Sequence, residues 1–260
     1  MSDARHRDLI LDQFTRQAEL FSTAAAITNE DALQMIVGAA RPYPGDRMLD
    51  IACGGGLVVC AFAPHVKYAT GFDMTPAMLD QATKLAAEKG LTNVAWRQGD
   101  ATALPYADES FDIVTSRFSF HHFREPLAVL REMVRVCAPD GRVLVIDSYA
   151  SEDKAKAAEF NRLELLRDPS HVRNLPLSEH KGLFAAAGLG EPQASFYELR
   201  GTVENLLARS FPNPGDEEKI VEIFRASAAD DRLGIPIRLA DETIEYAYPV
   251  AILAATRSAG

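Results

Sequence analysis

The sequence predicts an α/β fold, a doubly wound and mostly parallel sheet with helices on both faces, and three observations predict it. Between residues 48 and 147, short apolar runs alternate with helical ones, the rhythm of successive βαβ units. The first of those runs, LDIACGGG (49–56), passes from a strand straight into three glycines and a helix. Proline and glycine punctuate the boundaries, at Arg41-Pro42-Tyr43-Pro44-Gly45 and at Pro139-Asp140-Gly141, where neither residue continues a helix. Ligands of such sheets bind beyond the carboxyl ends of the strands, so function is expected just after each one.

Taken in order, residues 8–24 and 29–40 read as helices and MLDIA (48–52) as a short buried strand. A helix begins over 56–63, and VKYATGF (66–72) is the second strand. The helix over 76–89 has Thr75 as N-cap, Pro76 at its first position and Gly90 at its end. VAWRQ (94–98), FDIVTS (111–116) and RVLVID (142–147) are further strands, the last two separated by a helix at 126–137. Past residue 150 come a polar helix (152–167), the loop DPSHVRNLP (168–176), a helix from Ser178 to Ala187 and the strand ASFYELR (194–200). Helical stretches at 202–209 and 216–228 precede a long final strand, ETIEYAYPVAILAAT (242–256). No internal repeat or low-complexity linker divides the chain, so one domain with a helical insertion near 201–238 is expected.

Composition narrows the function classes. With 260 residues, 47% of them hydrophobic, the chain can fill a sizeable core, which excludes a disordered protein. No apolar stretch approaches the roughly 18 to 20 residues that span a bilayer, and MSDARHRDLILDQF carries charges where a signal peptide is apolar. A cytoplasmic protein without a membrane span is expected. Cys53, Cys60 and Cys137 show no CxxC spacing and suggest neither disulfides nor a zinc site; they read as small buried hydrophobes. A net charge of -10, uninterrupted by any basic stripe, argues against a nucleic-acid partner.

A strand running into a glycine turn and a helix is a nucleotide-binding arrangement, because glycine lets a ligand approach the main chain. The dinucleotide fingerprint GxGxxG needs a third glycine where this chain has Val59, and Asp50 would repel a pyrophosphate. The same carboxylate suits a cationic ligand such as S-adenosylmethionine. A nicotinamide-dependent oxidoreductase is therefore the disfavoured alternative.

At these residues the chain resembles the class I S-adenosylmethionine-dependent methyltransferases, and the resemblance covers most of its length. LDIACGGG looks like that family's first motif, with Ala52, Gly54 and Gly56 standing for its three glycines and Asp50 for its acidic residue. GFDMTPAML (71–79) resembles the second, placing Asp73, 23 residues after Asp50, where the family's carboxylate takes both ribose hydroxyls. GDATALPYADESFDIV (99–114) resembles the third, with Asp100 accepting from the adenine amino group and Ala101 supplying a backbone donor. LREMVRVCAPDGRVLVID (130–147) resembles the block that leads into the fifth strand. Cys53, Met74, Met78 and Phe118 are implied as further cofactor neighbours, although Met35, Met78 and Met133 also sit at helical spacing that suits core packing. The implied fold is a Rossmann-like sheet of seven mostly parallel strands with an antiparallel last strand. Residues 1–40 would form an N-terminal helical lid, 41–150 the cofactor-binding core, and 151–260 the remaining sheet and an acceptor-side insertion.

Within the family the likeness is greatest to the ubiquinone and menaquinone biosynthesis C-methyltransferases and their small-molecule relatives. Those quinone enzymes carry Arg-Asn where this chain has His121-His122, which points to a different small acceptor, phenolic, quinone-like or heteroaromatic. RFSFHHF (117–123) follows the fourth strand, where the activated methyl would be presented, and makes His121 and His122 the candidate catalytic bases. RDPSHVR (167–173) resembles an acceptor-side loop; His171 and Arg173 either meet an acceptor oxygen or belong to a solvated loop. Phe14 and Phe21, seven apart on one helical face, either cover the cofactor or pack in the core, and Phe211, Tyr246 and Tyr248 are candidate apolar walls. The expected cofactor is S-adenosylmethionine, leaving as S-adenosylhomocysteine, with no metal and a monomeric or homodimeric chain. A noncatalytic relative that only binds the cofactor is the other alternative.

Overall fold

The computed structural model describes residues 3–24 and 27–258, the side chains of 3 and 21–23 excepted. Two helices come first, α1 (Asp3–Thr23) and α2 (Glu30–Ala40). Asn29 caps α2 by accepting from the Ala32 amide at 3.0 Å, and Arg41 closes it in a left-handed conformation ahead of the proline-rich break. The core then alternates β1 (Arg47–Ile51), α3 (Leu57–Phe62), β2 (Tyr68–Asp73), α4 (Pro76–Glu88), β3 (Val94–Gln98), β4 (Phe111–Arg117), α5 (Pro126–Val136) and β5 (Cys137–Ser148). The second half adds α6 (Lys154–Arg167), α7 (Leu177–Ala186), β6 (Gln193–Thr202), α8 (Val203–Leu207), α9 (Glu217–Asp230), β7 (Ile237–Ala240) and β8 (Thr243–Thr256).

The strands form one sheet in the order β3-β2-β1-β4-β5-β8-β6, with β7 also paired to β8. Strands β1 to β5 run parallel to their neighbours, and β8 runs antiparallel to β5, β6 and β7. The order reverses at β1, which has β2 on one side and β4 on the other, and that switch point leaves a crevice at the carboxyl ends of both. Because side chains alternate across a strand, Met48 and Leu49 of β1 enter different cores. One core gathers Ile36 of α2, Phe62 of α3, Phe160 of α6 and Phe224 of α9; the other gathers Val129 and Met133 of α5 and Phe184 of α7. The sheet is thereby covered on both faces, and its strand tips are where polar groups collect.

The turn after β1 places strict requirements on the backbone. Ala52, Gly54 and Gly56 all have positive φ, at 54°, 50° and 78°. At Gly56, the N-cap of α3, a Cβ would stand 2.6 Å from the Trp96 ring and 2.7 Å from the Ala82 Cβ. At Gly54 the nearest atom to such a Cβ is the Met78 sulfur, 3.9 Å away. One glycine is required by packing, while the other leaves open space.

Four details differ from the sequence expectation. Helix α1 begins at Asp3, well ahead of residue 8, because its first turns are polar and make contacts across the sheet's crevice. Strand β7 falls inside what read as a helical insertion; four residues, two of them exposed, hold too little alternation to be seen without the partner β8. Strand β5 starts at Cys137 and passes through the Pro139-Asp140-Gly141 turn by a register shift, with Asp140 at φ 59°. Thr75 occupies the N-cap position of α4 without a side-chain hydrogen bond; Asp73 caps instead, its Oδ1 accepting from the Thr75 amide at 2.8 Å. Among the described residues, no helix is long and apolar enough to cross a membrane.

Gly56→Ala combines a left-handed backbone with a clash against Trp96 and Ala82. It is expected to lower the unfolding free energy by about 2 to 5 kcal/mol in urea titrations, the sum of overpacking and left-handed strain.

Candidate active site

A cavity of about 520 Å³ fills the crevice at the strand tips, within the size range of small-ligand sites. Asp50, Ala52, Cys53, Gly54, Asp73, Met74, Met78, Asp100, Ala101, Phe118 and His122 all line it, so most of the expected site residues converge there. Gly56 and His121 are outside its lining. Gly56 faces Trp96 behind the turn, and His121 lines a second, smaller chamber of about 70 Å³.

Asp73, at the tip of β2, holds the two glycine-side turns together: its Oδ2 accepts from the Gly54 amide at 2.9 Å and its Oδ1 from the Thr75 amide at 2.8 Å. Each oxygen retains a further lone pair for a ligand hydroxyl. Burial raises this carboxyl above its ordinary value against the pull of those amides. Asp50, in β1, accepts from the Thr115 hydroxyl at 2.6 Å and is pushed up to about 7, chiefly by burial. Cys53 lies between them, its thiol pushed well up by burial and by Asp73 and Asp50. Asp100 accepts from the Thr102 amide and hydroxyl at 2.8 and 2.7 Å and pairs with Arg7 of α1. Burial opposes its ionisation, but Thr102 and Arg7 keep it below the ordinary carboxylate value.

Helix α1 crosses the cavity. His6 Nε2 meets the His122 carbonyl at 2.9 Å, and the Phe14 ring stands edge-on to His122 at 5.0 Å. Phe21, the other expected lid aromatic, lies outside the described side chains. Where β4 ends, Arg117 is buried with both terminal nitrogens donating to the Ile27 carbonyl at 3.1 Å, its guanidinium 4.5 Å over the Phe118 ring. Phe118 itself has φ 54°, a costly conformation for a bulky residue, and directs the chain into the short helical turn Phe120–His122.

The two histidines of that turn are shifted in opposite directions. His121 Nδ1 bonds Asp147 Oδ1 at 2.7 Å while its amide donates to Oδ2 at 3.0 Å. Burial disfavours its cation, yet Asp147 more than offsets this and raises the imidazole above its ordinary value. His122 Nδ1 faces the Ser170 carbonyl at 3.1 Å, so this nitrogen carries the hydrogen and Nε2 the lone pair. Burial and the neighbouring His121 push it down to about 4. The loop over 168–176 supports this pair: the amides of Val172 and Arg173 donate to the His121 carbonyl at 2.9 and 3.0 Å. His171 bonds Asn161 at 2.9 Å and Arg173 pairs with Glu179 on the surface; neither lines either cavity.

Of the expected walls, Tyr246 and Tyr248 line the second chamber, whereas Phe211 stacks under Arg16 at 4.2 Å. Sequence reasoning missed His6, Arg7, Arg117, Asp147, Glu164 and Arg167. Asp147 carried a usable signal, a carboxylate at the end of a parallel strand. Glu164 and Arg167 fall in what read as a polar helix, yet Glu164 is buried, accepting from Tyr248 at 2.7 Å, and Arg167 is half-buried beside it.

A switch-point crevice with bare main chain after β1 and carboxylates at three successive strand tips is the arrangement expected of a methyltransferase that uses S-adenosylmethionine. Residues 49–145 match the family model described as a methyltransferase domain. The uncharacterised methyltransferase YcgJ of Bacillus subtilis is 36% identical over 218 residues, 84% of this chain and 86% of that protein. The crystal structure of B. subtilis YcgJ superposes with a TM-score of 0.82 at 33% identity, covering 89% of this chain and 100% of the other. A candidate methyltransferase from Bacillus halodurans C-125 gives 0.81 at 27% identity, covering 88% and 100%. The ubiquinone/menaquinone biosynthesis C-methyltransferase UbiE of Ruegeria sp. is 37% identical over 109 residues, 41% of this chain and 44% of that enzyme. The chain belongs to the methyltransferase-domain family and is an S-adenosylmethionine-dependent methyltransferase.

Imidazole NMR between about pH 4 and 9 is expected to show His122 neutral and protonated on Nδ1 until about 4, with His121 titrating above the ordinary value. Asp147→Asn removes the anion that favours the His121 cation, leaving burial as the largest remaining influence beside the opposed charges of Glu164 and Arg167, and should bring His121 below that value.

Proposed function

We propose that this enzyme methylates a small molecule, with S-adenosylmethionine lying against the Ala52–Gly54 turn and the acceptor approaching the His121–His122 turn. The observation that carries this reading is the open space at Gly54 beside the doubly anchored Asp73 carboxylate. Bare backbone and an oriented anion together suit a ribose placed close to the main chain. Bound there, S-adenosylmethionine supplies an electrophilic methyl group on a sulfonium.

The chain's own groups then divide the work. Asp73 orients the ribose hydroxyls, and Asp50, ionised by a nearby cation, balances the ligand's positive end. Arg117, buried and lining the same cavity, balances the ligand's carboxylate. Asp100 marks the adenine end, where Arg7 shares its carboxylate and so ties α1 over the ligand. Excluding water and holding the acceptor in near-attack geometry supply much of the rate in an in-line displacement. Where the acceptor carries a hydroxyl or amine proton, His121 is the group to receive it. Its Nδ1 is held by Asp147, whose charge favours the imidazolium, leaving Nε2 for the acceptor. His122, held neutral, forms the wall between cofactor and acceptor.

Calorimetric titration with S-adenosylhomocysteine tests the reading. Asp73→Ala should weaken binding through the loss of two charge-assisted hydrogen bonds, each about 1.5 to 3 kcal/mol before compensation. Gly54→Ala is expected to leave the fold intact, at a left-handed strain of about 1 to 2 kcal/mol, and to lower affinity at least about tenfold. Unchanged affinity in both would remove the ligand from this turn. Because Asp50 sits at about 7, a ligand requiring its ionised form binds more tightly as pH rises through that value and releases a proton on binding. Titrations with S-adenosylmethionine in buffers of different ionisation enthalpy should detect that proton near pH 6.5, less of it at pH 8.5, and a smaller release in Asp50→Asn, about what a carboxyl titrating near 7 requires.

A further inference from the structure

The smaller chamber lies beyond a partition made of Phe14, Ile27, Phe118 and His122, the four residues that line both cavities. At about 70 Å³ it is far below a whole-ligand pocket and suits one functional group of a molecule that reaches past the partition. Most charges around it are already matched. Arg167 pairs with Glu164 at 2.7 Å, Glu164 also accepts from Tyr248, and His121 is matched by Asp147. Arg209 is different: its guanidinium donates to the Tyr246 hydroxyl at 3.2 Å, and no carboxylate among the described residues pairs with it. Tyr246, having accepted that bond, still carries a hydrogen to donate. Two donors thus meet at a chamber whose two carboxylates already accept from other groups, Glu164 from Arg167 and Tyr248 and Asp168 from the amide and hydroxyl of Ser170.

We propose that this chamber is an anion subsite for the acceptor, that the acceptor carries a carboxylate, and that Arg209 is its specificity-determining residue with Tyr246 as second donor. The inference rests on the acceptor-side reading above. A cationic group would face an uncompensated guanidinium, and a neutral one would leave it without a counter-charge in a partly buried place. A carboxylate accepts from both donors at once, in the planar geometry that guanidinium matches.

The test is made on the full chain saturated with S-adenosylhomocysteine. Benzoate, 4-hydroxybenzoate and phenylacetate are titrated by calorimetry, each beside its primary amide. At least one carboxylate should bind about tenfold or more tightly than its amide, as expected of charge-assisted hydrogen bonds. Arg209→Gln should abolish that preference, Arg209→Lys should restore part of it, and Tyr246→Phe should reduce it. Thermal unfolding checks that each variant is folded. A preference below about tenfold, one that survives Arg209→Gln, or no binding by any of the three carboxylates overturns the proposal. Failure of the wild-type chain to bind S-adenosylhomocysteine would instead strike the reading of the larger cavity.

Discussion

The bridge that Asp73 makes between the amides of Gly54 and Thr75 organises the rest of the site. It joins the turn after β1 to the start of α4, so one carboxylate fixes both walls of the crevice. Hydrogen bonds to a charged group are worth about 1.5 to 3 kcal/mol, more than ordinary ones, and here they oppose a burial that raises the carboxyl above its usual value. The site therefore holds an anion that its surroundings only partly stabilise. A ligand that brings hydroxyl donors to the remaining lone pairs completes what the backbone began.

The same logic, a buried group held by one partner and left open on another side, recurs across the partition. Asp147 fixes His121 through both a ring nitrogen and the backbone amide, and the loop over 168–176 fixes the carbonyl of the same residue. The turn is held from three directions, which is how it tolerates a left-handed phenylalanine at its entrance. Rigid strands thus position the larger cavity, and a buttressed turn positions the wall it shares with the smaller chamber, while α1 contacts the lining through Arg7, His6 and Phe14.

The lining of the larger cavity was legible in the sequence because its determinants are local. Asp50, Ala52, Gly54, Asp73 and Asp100 each sit within a few residues of a strand end, and strand ends are marked by apolar runs and glycines. The smaller chamber was not, because its groups come from distant segments that meet only in three dimensions. Glu164, Arg167 and Arg209 belong to stretches whose polarity matches an exposed face. Their convergence depends on β8 threading between β5 and β6, a pairing that no local pattern announces. Strand β7 was missed for the same reason, since its short alternation makes sense only beside β8.

The depressed acidity of Cys53 bears on the enzyme's durability. A thiol beside an alkylating sulfonium is a target for self-inactivation, but only the thiolate is a competent nucleophile. Burial beside Asp73 and Asp50 keeps this sulfur protonated. Burial first, and the two carboxylates beside it second, thus leave a thiol on the cavity wall in its unreactive form.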